Sequence, residues 1–140
     1  MEMVMGFMFS PDMSMVSLLK KRNGPSGASG KWVGPGGKLN DGETPSEAMS
    51  REFHEEAGVM VSPRFWRPFA VVNGTDWRVH LFETRSSWYS HARTMTDEPV
   101  QLFSVSDLPP GLSNMTSWGI PMALDFGISD PVVINTRFDS

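Results

Sequence analysis

No cysteine occurs among the 140 residues, which excludes disulfide bridging, a thiolate nucleophile and a zinc centre built on cysteine. An excess of positive charge is also missing. Twelve Lys and Arg stand against 16 Asp and Glu, a formal net charge of −4. That balance argues against general nucleic-acid binding, which needs a basic face. A phosphate-bearing small molecule stays open, because a divalent cation can neutralise its charge locally. No apolar run approaches the roughly 18 residues of a membrane span. The apolar start MEMVMGFMF has no basic residue, carries Glu2 and stops at Ser10-Pro11, so it reads as a buried strand rather than a leader peptide. The expectation is one cytoplasmic domain over residues 1–140, with no membrane partner. Its 39% hydrophobic and 20% charged residues suit a globular chain able to bury a core.

Residues 3–9 and 13–20 are apolar runs separated by Ser10-Pro11-Asp12, the pattern of a strand pair. Residues 22–30 form a Gly/Ser/Pro loop, and residues 31–39 read as a short strand entering a turn at Gly36-Gly37. The spacing predicts a helix over 44–57, with Thr44 as N-cap, Pro45 at the first helical position, Glu47 completing a capping box and Gly58 just past the end. Residues 59–72, 77–84 and 100–105 have strand composition, residues 86–98 are loop-like, and 120–126 suit the core of a second helix. Residues 132–134 suit a last short strand. The implied class is α/β (α+β), a mixed sheet with helices packed on it.

The helix carries a physical oddity. Glu52, Glu55 and Glu56 are spaced i, i+3, i+4 and project from one face. Like charges so placed repel by roughly 0.2–0.5 kcal/mol per pair. They also crowd the negative end of the helix dipole. A bound hard dication such as Mg²⁺ or Mn²⁺ reverses both penalties; a solvated acidic face is the plainer alternative. Met49, Phe53 and Ala57 run beside the acids as an i, i+4, i+8 apolar stripe, which places them at the edge of a core.

Residues 37–59, GKLNDGETPSEAMSREFHEEAGV, resemble the Nudix signature GX5EX7REUXEEXGU, U being apolar. Gly37, Glu43, Arg51, Glu52, Phe53, Glu55, Glu56, Gly58 and Val59 fill the nine fixed positions, Phe53 being bulkier than usual. The resemblance implies an α/β/α sandwich with a loop–helix–loop motif and a pyrophosphohydrolase activity. It implies that Glu52, Glu55 and Glu56 bind Mg²⁺ (or Mn²⁺), joined by the Gly37 carbonyl, and that Glu43 and Arg51 pair as a structural salt bridge. Water attacks a phosphorus, and one carboxylate accepts its proton. Glu52 in the helix and Glu98 in the later loop are both candidates for that role, and Glu98 for a metal ligand; Asp97 is the fallback.

Beyond the box, LLKKRNGPSGASGKWVGPGGKLNDGE, WRVHLFET and TDEPVQLFSVSDLP resemble the MutT-like branch that hydrolyses oxidised purine nucleoside triphosphates. NMTSWGIPMALD resembles the start of its C-terminal helix, where base-contacting residues lie. On that reading Trp118 stacks on a base, Asn114 reads a purine edge, and Lys20, Arg22 and Lys38 meet phosphates. The plain alternatives are core for Trp118, a helix cap for Asn114 and solvated surface for the three cations. The expected partner is a nucleotide such as 8-oxo-dGTP, and the expected assembly a monomer or homodimer. The proline typical of ADP-ribose enzymes, about sixteen residues past the box, is absent, with Thr75 and Asp76 there instead. The tyrosine of dinucleoside polyphosphate enzymes is missing from that region too, Tyr89 being the only one. RNA 5′-end hydrolysis ranks behind (d)NTP hydrolysis because no basic tract is present. A non-catalytic Nudix sensor is the alternative of another class; such proteins typically lose a metal-binding acid, and all three are kept.

Overall fold

The computed structural model describes residues 1–22, 29–125 and 130–136. Most of the Gly/Ser/Pro loop, residues 23–28, lies outside them, as does Phe126 at the end of the expected second helix.

The apolar start forms β1 (Glu2–Phe9), which lies parallel to β6 (Arg78–Arg85) from Glu2↔Arg78 to Phe9↔Arg85. The other edge of β1 is shared. Its first half pairs antiparallel with β4 (Gly36–Lys38), while Phe9 meets Val16 of β2 (Met15–Lys20). β2 begins two residues later than expected, because the preceding turn holds Met13 at φ 63° and gathers Ser10 and Ser14 onto the Asp12 carboxylate. The single strand expected over 31–39 is instead two, β3 (Trp32–Val33) on β2 and β4 on β1. Pro35 separates them; it has no N–H for a ladder, but its carbonyl accepts from Gly6 N–H at 2.9 Å.

The remaining strands are β5 (Arg67–Asn73), β7 (Val100–Ser104) and β8 (Val132–Asn135). The sheet runs β3-β2-β1-β6-β5-β8, with β4 on β1 and β7 on β2. It is mixed, since β1/β6 and β5/β8 are parallel and the other pairs antiparallel. The strand expected over 59–72 starts only at Arg67, because Pro63–Phe65 winds into a 3₁₀ turn. A second such turn, Ser87–His91, interrupts the expected loop after β6.

Helix α1 (Pro45–Ala57) has the predicted capping box, with Thr44 Oγ1 accepting from Glu47 N–H and the Glu47 carboxylate accepting from Thr44 N–H. Gly58 ends it at φ 78°, a left-handed conformation that a Cβ disfavours. Helix α2 (Asn114–Ala123) starts at Asn114, where the resemblance placed it and six residues before the apolar core, is capped by Ser113 and carries Pro121 inside.

Two apolar clusters lie on opposite faces of the sheet. Ala48, Met49, Phe53 and Ala57 of α1 pack with Val4, Met8, Trp66 and Phe82. Ile120 and Ala123 of α2 pack with Phe7, Phe9, Phe69 and Leu81. Burying each such large side chain stabilises the fold by about 1.5–3 kcal/mol. This α/β/α layering explains why β6 shows no clean alternation. Leu81 serves one layer and Phe82 the other, so both faces must be apolar.

Candidate active site

Helix α1 lies against β4, and three contacts tie them. The Gly36 N–H donates to Glu56 Oε1 at 2.8 Å, and Arg51 Nη2 donates to the Lys38 carbonyl at 2.9 Å. Gly37 touches the Glu52 carboxylate so closely that a Cβ there would stand 2.6 Å from Glu52 Cδ. Any side chain at position 37 would therefore push Glu52 from its place.

Arg51 organises the loop before the helix. Its Nε and Nη2 donate to the two Glu43 oxygens at 2.7 and 3.0 Å, a fork geometry. That hydrogen-bonded guanidinium holds the Glu43 carboxyl below its ordinary range. Nη1 reaches Glu52 Oε1 at 2.9 Å and Glu55 Oε2 at 3.4 Å. Arg51 thus spans both loop and acidic ridge, while Glu55 keeps its side chain more than half exposed at 55%.

The other two ridge acids are poorly hydrated. Burial pushes the Glu56 carboxyl up to about 7, with the Glu52 and Glu98 charges adding and the Gly36 N–H and Lys21 opposing. Burial likewise raises Glu52, against the hydrogen bond and charge of Arg51. Carboxylates that lack water and face one another are the electrostatic situation a dication relieves. The donor set therefore fits a hard metal ion: Glu52, Glu55 and Glu56 offer carboxylate oxygens and Gly37 a carbonyl on the adjoining strand. Among the described residues these groups are not drawn together as a finished ligand set; Glu52 is turned to Arg51 and Glu56 to Gly36.

Glu98 lies far from the ridge in sequence, and strand register brings it close. β7 pairs with β2 through Leu19↔Val100, and Lys20 N–H donates to the Pro99 carbonyl at 2.8 Å. Just beyond that contact, Glu98 accepts from Arg22 N–H at 2.9 Å and lies 3.8 Å from Lys21 Nζ. Its charge reaches Glu56. Lys21, which sequence reasoning passed over in favour of its neighbours, thus acts on both Glu98 and the helix acids. Alternation along β2 was the signal available, since successive side chains face opposite ways.

The candidate nucleotide contacts divide. Lys20 extends over the Trp32 ring, 5.9 Å from its centroid, and Trp32 meets Phe103 edge-on at 4.9 Å. Arg22 is exposed and uses its backbone N–H, not its guanidinium, on Glu98. Lys38 is exposed on β4. Asn114 is the first residue of α2 and exposed; Ser113, not Asn114, is the cap, its Oγ accepting from Thr116 N–H. Trp118 is partly buried against the α2-side cluster, which supports the core alternative for much of its surface. Trp32 carried no separate signal in the sequence. Its backbone binds Gly111 and Ser113 at 2.9 and 3.1 Å, so it borders the start of α2 beside Asn114. A separate groove of about 690 Å³ is lined by Met60, Phe65, Arg67, Glu83, Arg85 and Trp88 among others, and by none of the ridge acids.

This fold matches known proteins. A family model described as NUDIX domain matches residues 3–123, and the chain belongs to that family. An 8-oxo-dGTP diphosphatase from Proteus vulgaris is 54% identical over 33 residues, 24% of this chain and 30% of that protein; the chain thus matches under a third of that relative's length. Among solved structures, the MutT NUDIX hydrolase from Burkholderia pseudomallei superposes with TM-score 0.68 at 22% identity, covering 87% of this chain and 98% of that one. A bifunctional NMN adenylyltransferase/ADP ribose pyrophosphatase from Francisella tularensis, complexed with AMP and a Mn ion, gives TM-score 0.68 at 18% identity, covering 88% and 40%. Those likenesses concern the fold. No helix among the described residues is long and apolar enough to cross a membrane.

Proposed function

We propose that this chain hydrolyses a nucleoside triphosphate to the monophosphate and pyrophosphate, dependent on Mg²⁺ with Mn²⁺ as substitute, and that oxidised purine nucleotides such as 8-oxo-dGTP are its preferred substrates. The observation that carries the reading is the ridge of Glu52, Glu55 and Glu56. Two of its acids are raised by burial, and the adjoining strand brings Gly37 so close to the Glu52 carboxylate that no side chain fits between them. The partial match to an 8-oxo-dGTP diphosphatase supports the substrate, and the Mn ion in a structural neighbour supports the cofactor.

When bound, the dication supplies charge neutralisation on phosphate oxygens and acidifies a coordinated water. The chain's own residues do the remainder. Arg51 fixes the ridge by tying it to Glu43 and Lys38. Glu52 takes the proton of the attacking water: its carboxyl is raised by burial towards the working pH, where a general base is most effective. Glu98 is already engaged by Arg22 N–H and Lys21, which suits a metal ligand contributed from the opposite loop. Lys20, Trp32, Asn114 and Trp118 border the α2 side of the sheet and are the residues proposed to face the nucleoside; Lys38 and Arg22 are proposed to face phosphates.

An incubation with Mg²⁺ and separate 8-oxo-dGTP, dGTP, ADP-ribose, diadenosine tetraphosphate and triphosphorylated RNA tests the reading. Monophosphate plus pyrophosphate, fastest from 8-oxo-dGTP, is the expected outcome. AMP plus ribose phosphate as the leading products would transfer the chain to the ADP-ribose reading. Binding without turnover of any member would make it a sensor.

A further inference from the structure

Among the described residues, Arg51 and Lys21 are the cations that meet the candidate metal-binding acids, and they are held very differently. Arg51 is committed, with Glu43, Glu52 and the Lys38 carbonyl all on its guanidinium. Lys21 is fixed at its root and loose at its head. Its N–H donates to the Lys31 carbonyl at 2.9 Å and its carbonyl accepts from Gly30 at 2.6 Å. Its ammonium stands 3.8 Å from Glu98 Oε2, beyond hydrogen-bond distance, and its side chain keeps 27% of its surface exposed. The charge reaches Glu52 and Glu56 as well.

On the hydrolase reading above, we propose that Lys21 is the displaceable counter-ion of this site. Before a dication enters, its ammonium partly neutralises Glu98 and the ridge acids; once a dication is bound, it swings to the polyphosphate of the substrate. Buried carboxylates without a cation are costly, and a compact ammonium on a flexible four-carbon stem can serve two positions where a forked guanidinium locked by three partners cannot. A dication at the ridge removes the attraction and repels Lys21. The incoming polyphosphate then provides the nearest negative charge.

The consequence is a pair of effects with opposite signs. In the whole chain, Lys21→Met removes a competitor of the metal and a ligand of the nucleotide together. Titration with Mn²⁺ alone, read by the electron paramagnetic resonance of free Mn²⁺, should show roughly tenfold tighter binding, the scale expected for removing one positive charge from a partly buried site. KM for the triphosphate should rise roughly tenfold, and Lys21→Arg should recover most of the nucleotide affinity. Lys21→Gln repeats the test with a polar side chain, and thermal melting reports folding of each variant. A residue of merely structural role would weaken both ligands, and a simple phosphate ligand would leave Mn²⁺ affinity unchanged; either result overturns the proposal. No Mn²⁺ binding in the unaltered protein would sink the hydrolase reading itself, whereas equal Mn²⁺ binding in the unaltered protein and the variant would sink the counter-ion role alone.

Discussion

Glu56→Gln separates the stability of this fold from its function. The carboxyl is raised by burial from the ordinary 4.5 to about 7. Between those values the native state holds a proton that the unfolded chain has released. Native stability from this group therefore falls as pH rises through the window, and above it the full penalty is present. A displacement of that size corresponds to about 3 kcal/mol at most, and partial solvent contact reduces the usable figure to about 1–2 kcal/mol. Glutamine keeps an oxygen for the Gly36 N–H and cannot ionise. In EDTA at pH 8 the variant should melt about 3–8 °C above the unaltered protein, given the entropy of unfolding for a chain of this size. At pH 4, below the unfolded value, the two should melt nearly together. Adding Mg²⁺ should raise the melting temperature of the unaltered protein and leave the variant nearly unmoved, while turnover falls at least a hundredfold. Melting curves at half-unit pH steps, with and without Mg²⁺, read all of this. Parallel pH profiles for the two proteins in EDTA would refute the argument, because they would mean that Glu56 is not desolvated.

Other substitutions probe the neighbouring contacts. Gly37→Ala places a Cβ against the Glu52 carboxylate and should cut turnover at least tenfold while circular dichroism stays unchanged. Arg51→Ala removes the fork to Glu43 and the bond to Lys38 and should lower stability by about 1–3 kcal/mol in urea unfolding, the scale of charge-assisted hydrogen bonds. Trp118→Ala should raise KM or alter base preference across a nucleotide panel; unchanged kinetics with a lower melting temperature would return it wholly to the core.

Local chemistry made α1 legible. Thr44, Pro45, Glu47 and Gly58 act within one turn of the helix ends, so their consequences needed no knowledge of the rest of the chain. Apolar content showed only the core of the second helix, and its start at Asn114 came from the resemblance. Ser113 satisfies the first turn and starts the helix at Asn114, ahead of the apolar stretch. The strand over 31–39 divided at Pro35 for a reason no short window contains. Its halves have different partners, one on β2 and the other on β1.

The sequence by itself determined the acidic ridge, its spacing and its membership of a recognisable signature, because helix periodicity alone puts Glu52, Glu55 and Glu56 on one face. Only the tertiary structure decided which acids lose their water, since desolvation depends on what α1 is packed against. It also decided that Glu98 and Lys21 meet. That contact follows from the register Leu19↔Val100 between β2 and β7, a pairing that links residues some eighty positions apart and is set by the shared core, not by either strand's own residues.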